Sequence, residues 1–223
     1  MTTHLPTSNP TLYGYWRSSA AYRVRIALNM KGLEYENYFV HLSRDGGEQR
    51  SSPYVDLNPQ MLVPTYVEEE LVLSQSLAII EYLDERYPHP PLLPEEPTRR
   101  ARARQAAFAI ACDIHPLNNL RVLNYLAGKL GVGDDGKRSW YHHWILQNFP
   151  ALERWAQADS GSGPYFLGGA VTLADICLAP QMYNARRFDV PLDEFPRLVE
   201  IDAALNELTA FRNALPDNQP DAQ

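Results

Sequence analysis

Residues 11–28, TLYGYWRSSAAYRVRIAL, join an aromatic run to a helical pattern and decide the fold of the first half of the chain. The aromatic run at 11–16 favours a β-strand. Val24, Ala27 and Leu28 then recur at helical spacing, and Gly32 is well placed to end that helix. The sequence therefore predicts a strand that leads directly into a helix, with Ser18 and Ser19 at the junction.

The rest of the first half predicts a small α/β domain. Residues 35–40 are typical of a second strand, and residues 54–57 of a short helical turn. Residues 63–67 and 71–73 predict a hairpin across an acidic turn, and residues 75–87 return to helical spacing. The order βαβ followed by ββα favours a mixed sheet. Five prolines in PHPPLLPEEP, at 88–97, predict a linker in which no helix can continue.

The second half predicts an all-α domain, with helices over 99–129, 136–159, 172–187 and 195–212. Thr172 and Asp175 have the spacing of a capping box at the start of the third helix. The polar stretch from Pro216 onward is expected to fray. The predicted division is a domain at 1–87, a linker at 88–97 and a helical domain at 98–223.

Composition limits the classes of function. The 223 residues include 20 Lys and Arg against 27 Asp and Glu, so the net charge is −7 and a nucleic-acid partner is not expected. No apolar run reaches the roughly 18 residues of a membrane span, and residues 1–10 do not have the pattern of a secretory signal, so a cytoplasmic location is expected. Cys112 and Cys177 lie in apolar helical patterns and are expected to be buried. No metal-ligand motif is found.

Three features of the first domain could bind an anion or a peptide, and each also has a plainer interpretation. Serine at the start of a helix can stabilise a thiolate, or it can simply cap the helix. A cis X-Pro bond would leave backbone groups free to pair with a ligand, whereas most such bonds are trans. The three features are Ser18-Ser19, Val63-Pro64 and Gln75-Ser76. Their recurrence within one small domain suggests a site for a short peptide that carries carboxylates.

The helical domain contains a fourth polar cluster, in DIHPLNNLRVL at 113–123. His115, Asn118 and Asn119 have the spacing of one helix face, and Pro116 is expected to kink the helix. These side chains could face either solvent or a cleft. Arg187 could complement the dipole at the end of its helix.

Five segments together resemble the zeta class of glutathione transferases. They are SSAAYRVRIAL at 18–28, LNPQMLVPT at 57–65, QSLAIIEYLDERYP at 75–88, DIHPLNNLRVL at 113–123 and TLADICLAPQMYNARRF at 172–188. The resemblance implies a thioredoxin-like N-terminal domain that binds glutathione, an all-helical C-terminal domain that binds the electrophile, and a homodimer. Ala20 stands where members of the class commonly have cysteine.

The resemblance also implies roles for individual residues. Ser18 and Ser19 would lie beside the sulfur of glutathione and act in catalysis together with Arg187. The residues that would bind glutathione are Ser18, Gln49, Val63, Pro64, Gln75, Ser76, His115 and Asn119. Cations for substrate carboxylates would come from Arg17, Arg121 and Arg187.

The activity that the resemblance implies is a glutathione-dependent cis–trans isomerisation of maleylacetoacetate to fumarylacetoacetate, a step of tyrosine and phenylalanine catabolism. Two alternatives stay open at this point. One is isomerisation of maleylpyruvate in gentisate degradation. The other is a transferase or dehalogenase reaction that consumes glutathione.

Overall fold

The computed structural model describes residues 9–223, and these form two compact units. One unit contains the chain up to Pro90 together with Thr209–Gln223, and the other is Pro91–Leu208. The division inferred from the sequence differs in two respects. The predicted linker at 88–97 is divided between the units after Pro90, and every residue from 98 onward had been assigned to the helical domain. Apolar periodicity marks where a helix lies but not which unit the helix packs against, so the return of the last segment was not visible in the sequence.

The first unit is built on a four-stranded mixed sheet, as predicted. Its strands are β1 (Thr11–Gly14), β2 (Glu36–Phe39), β3 (Thr65–Glu68) and β4 (Leu71–Ser74). Their order across the sheet is β2-β1-β3-β4, with β1 parallel to β2 and antiparallel to β3. The hairpin β3-β4 is antiparallel, as the acidic turn between its strands requires.

The helices of this unit are α1 (Ser19–Met30), α2 (Ser52–Leu57) and α3 (Ser76–Arg86). Ser18 is the N-cap of α1, and the predicted apolar positions Val24, Ala27 and Leu28 are all buried. Gly32 has a φ of +65°, a left-handed conformation that glycine adopts without strain, and it follows the end of α1 as predicted. Helices α1 and α3 pack against each other.

In the second unit the regular elements that the structure describes are helices, apart from one isolated bridge between Tyr165 and Gly168. They are α4 (Pro97–Phe108), a π-helix (Ala109–Ile114), α5 (Leu120–Gly128), α6 (Asp134–Asp159), α7 (Leu173–Arg187) and α8 (Pro196–Asn206). The prediction of one continuous helix over 99–129 is wrong. The chain turns at Pro116, and the Asn119 side chain then caps a new helix by accepting the Arg121 amide at 3.1 Å.

The capping box at the start of α7 is confirmed. The Asp175 carboxylate accepts the Thr172 amide at 2.8 Å and the Thr172 hydroxyl at 2.9 Å. It also accepts the Phe166 amide at 2.8 Å, which ties the preceding loop to the helix. Asp175 is fully buried, and burial raises its pKa to about 6.

The final helix, α9 (Thr209–Ala214), belongs to the first unit, where it packs against α1. The prediction of one helix over 195–212 is therefore wrong, because α8 and α9 are separate. The expected fraying from Pro216 is also wrong. Pro216–Asn218 form a 3-10 turn, and the buried Gln219 side chain donates to the carbonyl of Leu215 at 2.8 Å.

One of the two cysteines is buried and the other is exposed. Cys177 is buried within α7, as predicted, but Cys112 is exposed, so the prediction for Cys112 is wrong. Cys112 lies in the π-helix, whose wider turns place residues on different faces from those that α-helical spacing predicts. None of the helices described over residues 9–223 is long and apolar enough to cross a membrane.

Candidate active site

Three connections meet at one end of the sheet because of its register. Tyr13, near the end of β1, pairs with Thr65 at the start of β3. Thr65 pairs in turn with Ser74, the last residue of β4. The connection after β1 carries Ser18-Ser19, the one before β3 carries Val63-Pro64, and the one after β4 carries Gln75-Ser76. The sheet therefore brings together the three predicted features of the first domain.

Ser18 occupies the turn between β1 and α1 and acts as the N-cap of α1. Its Oγ accepts the Ala21 amide at 3.2 Å, and its backbone amide donates to the Tyr15 carbonyl at 2.9 Å. Within residues 9–223 the hydroxyl of Ser18 donates no hydrogen bond, so its proton is available to an acceptor such as a thiolate. The capping interpretation and the thiolate interpretation are compatible, because they use different hydrogen-bonding capacities of one hydroxyl.

The neighbours of Ser18 differ in exposure. Ser19 is the first residue of α1 and is buried. Arg17 is exposed, and its guanidinium carbon lies 4.0 Å from the centroid of the Trp16 ring. This stacking holds a cation beside the N-terminus of α1, where the helix dipole also favours an anion.

The connection before β3 presents backbone groups that the described residues leave unpaired. The Val63-Pro64 bond is cis, the form that leaves backbone groups free to pair with a ligand. Neither the amide nor the carbonyl of Val63 makes a hydrogen bond within residues 9–223. A backbone donor and acceptor at a strand end can pair with a peptide-like ligand as an added strand.

A hydrogen-bond network fixes this connection from the other side. The Tyr54 hydroxyl donates to the Leu62 carbonyl at 2.6 Å and pairs with the Thr65 hydroxyl at 2.9 Å. The Asn58 side-chain amide donates to the Leu62 carbonyl at 2.8 Å and to the Thr65 hydroxyl oxygen at 3.0 Å. Sequence reasoning did not identify Tyr54 and Asn58 as supports of the site. A signal was present, since polar residues that flank a strand-edge proline often satisfy the backbone there.

Gln75 and Ser76 lie at the start of α3. Gln75 has a φ of +72°, and its side chain does not cap the helix. The side-chain amide of Gln75 donates instead to the side-chain oxygen of Gln60 at 2.9 Å. Ser76 is buried and accepts a hydrogen bond from the Arg23 guanidinium at 3.3 Å. The plain N-cap interpretation is therefore wrong for the side chain of Gln75.

Gln49 follows β2 at the same end of the sheet, because Phe39 of β2 pairs with Gly14 of β1. Its side chain is buried, and its amide nitrogen donates to the Leu42 carbonyl at 3.4 Å. The Gln49 Oε1 atom is buried and has no hydrogen-bond partner among the described residues. A buried acceptor without a donor is costly, so this atom fits a ligand that donates a hydrogen bond.

Arg187 is the last residue of α7 and is exposed. Its guanidinium lies 4.9 Å from the Phe188 ring, which itself stacks on the Tyr141 ring at 3.7 Å. Burial raises the pKa of Tyr141, and the charge of Arg187 opposes that rise. Within residues 9–223 Arg187 forms no ion pair, whereas its neighbour Arg186 is paired with Asp202 of α8. Arg187 is therefore the member of this arginine pair that could receive a substrate carboxylate.

His115, Asn118 and Asn119, which the spacing placed on one helix face, lie in the connection between the π-helix and α5, and Arg121 is the second residue of α5. His115 is partly buried, Asn119 caps α5, and Arg121 is exposed. Asn118 is buried and donates to the Tyr141 carbonyl at 3.1 Å. Since Tyr141 also stacks on Phe188, this connection and the end of α7 pack around the same tyrosine.

No group of three histidine, cysteine or acidic side chains within residues 9–223 could hold a metal ion. The elements that the first unit presents are instead a helix N-terminus with a hydroxyl donor, unpaired backbone groups, an unpaired amide oxygen and the exposed Arg17. These suit a peptide ligand with carboxylates and a thiolate.

Comparisons with known proteins identify the family of the chain. A family model for the N-terminal domain of glutathione S-transferase matches residues 8–85. The chain is 54% identical over 211 residues to a probable maleylacetoacetate isomerase of Vibrio cholerae serotype O1, covering 95% of this chain and 97% of the relative.

Two solved structures have the same fold. The holo structure of a maleylpyruvate isomerase, described as a bacterial zeta-class glutathione S-transferase, has a TM-score of 0.93 at 45% identity and covers 96% of this chain and 100% of that one. A maleylacetoacetate isomerase from Anaeromyxobacter dehalogenans 2CP-1, with bound dicarboxyethyl glutathione and citrate, has a TM-score of 0.84 at 36% identity and covers 98% of this chain and 96% of that one.

The thioredoxin-like sheet and its helical second unit define the class as that of the glutathione transferases, and the chain belongs to the zeta-class family within it.

Proposed function

We propose that this protein is a glutathione-dependent cis–trans isomerase that converts maleylacetoacetate to fumarylacetoacetate, a step of tyrosine and phenylalanine catabolism. The observation that carries the proposal is the unused hydroxyl proton of Ser18 at the N-terminus of α1, at the sheet end where Val63 has unpaired backbone groups. The solved relative that contains dicarboxyethyl glutathione supports the same chemistry. A dicarboxyethyl thioether is what addition of a thiol across the double bond of a butenedioic acid produces.

The residues of the first unit fit glutathione as the cofactor. The Ser18 hydroxyl would donate a hydrogen bond to the sulfur. The amides of the first turn of α1 would favour the thiolate over the thiol. Val63 would pair with the peptide backbone, and Gln49 would accept from it through its unpaired oxygen. Gln75 and Ser76 would bind the γ-glutamyl end. When bound, glutathione supplies the nucleophile that adds reversibly to the conjugated double bond and allows rotation about it.

The arginines would bind the carboxylates of the diacid and oppose the negative charge that develops on its carbonyl oxygen. Arginine suits this role because its planar guanidinium can donate two parallel hydrogen bonds to one carboxylate. Arg187 is the leading candidate, because Phe188 fixes its side chain while no described acidic residue neutralises it. Arg17 and Arg121 are exposed and are the further candidates, while His115 and Asn119 would contribute to glutathione binding.

Maleylpyruvate is the second candidate substrate, favoured by the similarity to the maleylpyruvate isomerase structure. The two diacids differ in the length of the chain that bears the keto group, and the same addition and rotation serve both. The ratio of kcat/KM for maleylacetoacetate and maleylpyruvate decides between them.

The experiment is an incubation of the purified protein with each diacid, with and without glutathione, followed by absorbance and by a thiol assay. An isomerase converts the diacid only when glutathione is present and leaves the thiol concentration unchanged. Stoichiometric loss of thiol would instead support a transferase or dehalogenase. Conversion that does not depend on glutathione would refute the proposal.

We also propose that the protein is a cytoplasmic homodimer. The family resemblance supports the dimer, and the first unit exposes large apolar side chains such as Met61 and Val72, at 42% and 45%. Cys112 and Cys177 form no disulfide, which is consistent with a reducing compartment. Sedimentation equilibrium of the purified protein measures the oligomeric state, and a monomer at micromolar concentration would contradict the dimer.

A further inference from the structure

The last residues of the chain contact the turn that carries Ser18. The Trp16 amide donates to Oδ2 of Asp221 at 3.1 Å. The Trp16 carbonyl accepts a hydrogen bond from Nη2 of Arg25 at 3.0 Å. Both backbone polar groups of Trp16 are thus held by charged side chains, only two positions before Ser18.

The position of Asp221 is itself fixed by contacts within its segment. The Gln219 side chain donates to the carbonyls of Asn213 and Leu215 at 2.9 Å and 2.8 Å. The Ala222 amide donates to the Gln219 carbonyl at 3.0 Å, which closes a turn around Asp221. The carboxylate is therefore presented to Trp16 by an ordered turn.

Helix α1 holds this segment along its length. The Arg25 Nε donates to the Ala214 carbonyl at 3.1 Å, and the Asn29 side chain donates to the Ala210 carbonyl at 2.9 Å. Arg25 therefore bonds to both the segment and the turn. Movement of α9 along α1 would have to break the Nε contact of the same guanidinium whose Nη2 holds the Trp16 carbonyl.

The charges of Arg25 and Asp221 also interact. Arg25 is buried, and this burial lowers its pKa to about 10, while the Asp221 carboxylate is among the groups that oppose the fall. The pair thus fixes Trp16 from its two sides, with Asp221 on the amide and Arg25 on the carbonyl.

Asp221 is not well placed to serve stability alone. Its second oxygen, Oδ1, is buried and accepts no hydrogen bond from any described residue. A half-satisfied buried carboxylate contributes little net stability, because the desolvation of one oxygen offsets the bond made by the other. The well-defined consequence of the contact is the position of Trp16 and of the turn that follows it.

We propose that Asp221 is a positioning residue, which fixes the turn at Trp16 and so aligns the Ser18 hydroxyl with the sulfur of glutathione. The inference rests on the proposed function, since it assigns that hydroxyl its role. It adds to the site a carboxylate from the opposite end of the chain, which touches neither glutathione nor the diacid.

The test compares Asp221→Ala, Asp221→Asn and a control, Asp217→Ala, in the full-length chain. Asp217 is an exposed carboxylate in the same segment. Asparagine keeps an oxygen that can accept the Trp16 amide, whereas alanine removes the acceptor. The pKa of the bound thiol is measured from its ultraviolet thiolate absorbance, and amide hydrogen exchange is measured at residues 15–18. Steady-state kinetics give kcat and KM for each ligand, and thermal unfolding gives Tm.

For Asp221→Ala we expect faster exchange at Trp16, a higher pKa of the bound thiol and a roughly tenfold lower kcat, as loss of a hydrogen bond to a charged group implies. The KM for glutathione should change less than kcat, and Tm should change little. Asp221→Asn should restore most of the activity, and Asp217→Ala should resemble the wild type.

Two results would overturn the inference. One is an Asp221→Ala protein whose thiol pKa and exchange at Trp16 equal those of the wild type. The other is a fall in Tm and activity with the thiol pKa unchanged, which would make Asp221 merely structural. Failure of the proposed function is distinguishable, because a wild-type protein that isomerises neither diacid still reports the thiol pKa and the exchange rates.

Discussion

Ser18 combines two hydrogen-bonding roles in one side chain. Its oxygen accepts the Ala21 amide and so starts α1, while its proton is not used by any described residue. The first role supports the helix that provides the dipole, and the second adds a donor at the place where the dipole is strongest. Substitutions can separate the two roles, because a side chain can keep the acceptor and lose the donor.

Ser18→Ala should raise the pKa of bound glutathione and lower kcat by roughly 10- to 100-fold, the value of one hydrogen bond to a charged acceptor. The lower limb of the pH–rate profile should move to higher pH, because less thiolate is present at a given pH. Steady-state rates between pH 5 and 9 measure this shift. Ser18→Asp serves as the control that keeps the cap but lacks the donor, and activity equal to wild type in that variant would contradict the thiolate role.

Arg187→Ala should raise the KM for the diacid at least tenfold while the KM for glutathione changes little. The reason is that the exposed guanidinium is proposed to bind a carboxylate of the diacid alone, and a bidentate charged contact contributes about 1.5–3 kcal/mol. Initial rates with each ligand varied in turn give the two constants. Equal changes in both would place Arg187 outside the diacid site.

Arg186→Ala is the matched control for this experiment, because Arg186 lies one residue away and is paired with the buried Asp202. Burial raises the pKa of Asp202, and the charge of Arg186 opposes that rise. Its removal leaves a buried carboxylate without its cation, so the free energy of unfolding should fall by about 1–3 kcal/mol. The KM for the diacid should stay near the wild-type value, in contrast to Arg187→Ala.

At the level of the elements, two helices begin with an acidic side chain that accepts backbone amides, in opposite environments. Asp175 is fully buried at the start of α7 and accepts the amides of Phe166 and Thr172. Glu96 is fully exposed at the start of α4 and accepts the amides of Thr98 and Arg99, both at 2.7 Å. Water can replace the exposed acceptor but cannot reach the buried one.

Asp175→Ala should therefore lower the free energy of unfolding by about 3 kcal/mol or more, because it leaves buried amides without an acceptor. Glu96→Ala should cause a much smaller loss. Urea denaturation of both variants at pH 7 gives the comparison. Similar losses in the two variants would show that burial does not decide the contribution of these caps.

The raised pKa of Asp175 gives a pH dependence with a definite sign. The carboxyl titrates near 3.8 in the unfolded chain and near 6 when folded, so the folded state binds the proton more tightly. The stability that comes from this tighter proton binding is fully present below pH 4 and is lost as the pH rises to about 6. The change in the free energy of unfolding is about 3 kcal/mol. The stability of the wild type relative to Asp175→Asn should fall over this interval. A relative stability that rises with pH would mean that the hydrogen bonds from Phe166 and Thr172 outweigh burial.

The elements of the first unit could be predicted from the sequence because each has a local signal. The strands are aromatic or alternating, Ser18 marks the start of α1, and Gly32 marks its end. The break at Pro116 also had a signal, but the polar spacing of His115 and Asn119 was interpreted as one helix face, whereas Asn119 starts a new helix. Helical periodicity cannot show such a break when the apolar pattern continues on both sides of it.

At the level of the whole molecule, the candidate site of the first unit could be predicted better than its support. Ser18, Val63 and Gln75 could be named as candidates because helix starts and strand-edge prolines have recognisable sequences. Asp221 and Arg25 could not, because their bonds to Trp16 and Ala214 join residues that lie far apart in the sequence. A polar C-terminal segment also lacks the apolar period that would mark it as packed. Long-range polar contacts depend on the fold that brings them together, so local patterns do not report them.

The protein has a net charge of −7, although both of its proposed ligands, a dianion and an anionic peptide, are negatively charged. The charge of the whole molecule repels both ligands, whereas Arg17, Arg121 and Arg187 are exposed cations that we propose bind the carboxylates of the diacid. Nearby charges outweigh distant ones at short range, so the local arginines should determine the sign of the field that the diacid meets.

Raising the ionic strength from 0.01 to 0.15 M shortens the Debye length from about 30 to about 8 Å and screens both effects. If the arginines dominate, kcat/KM for the diacid should fall roughly two- to fivefold over this range. In Arg187→Ala the fall should be smaller, because one attracting charge is gone. A rise of kcat/KM with salt in the wild type would mean that repulsion by the whole acidic surface outweighs the arginines, and the carboxylate site would then have to be sought elsewhere.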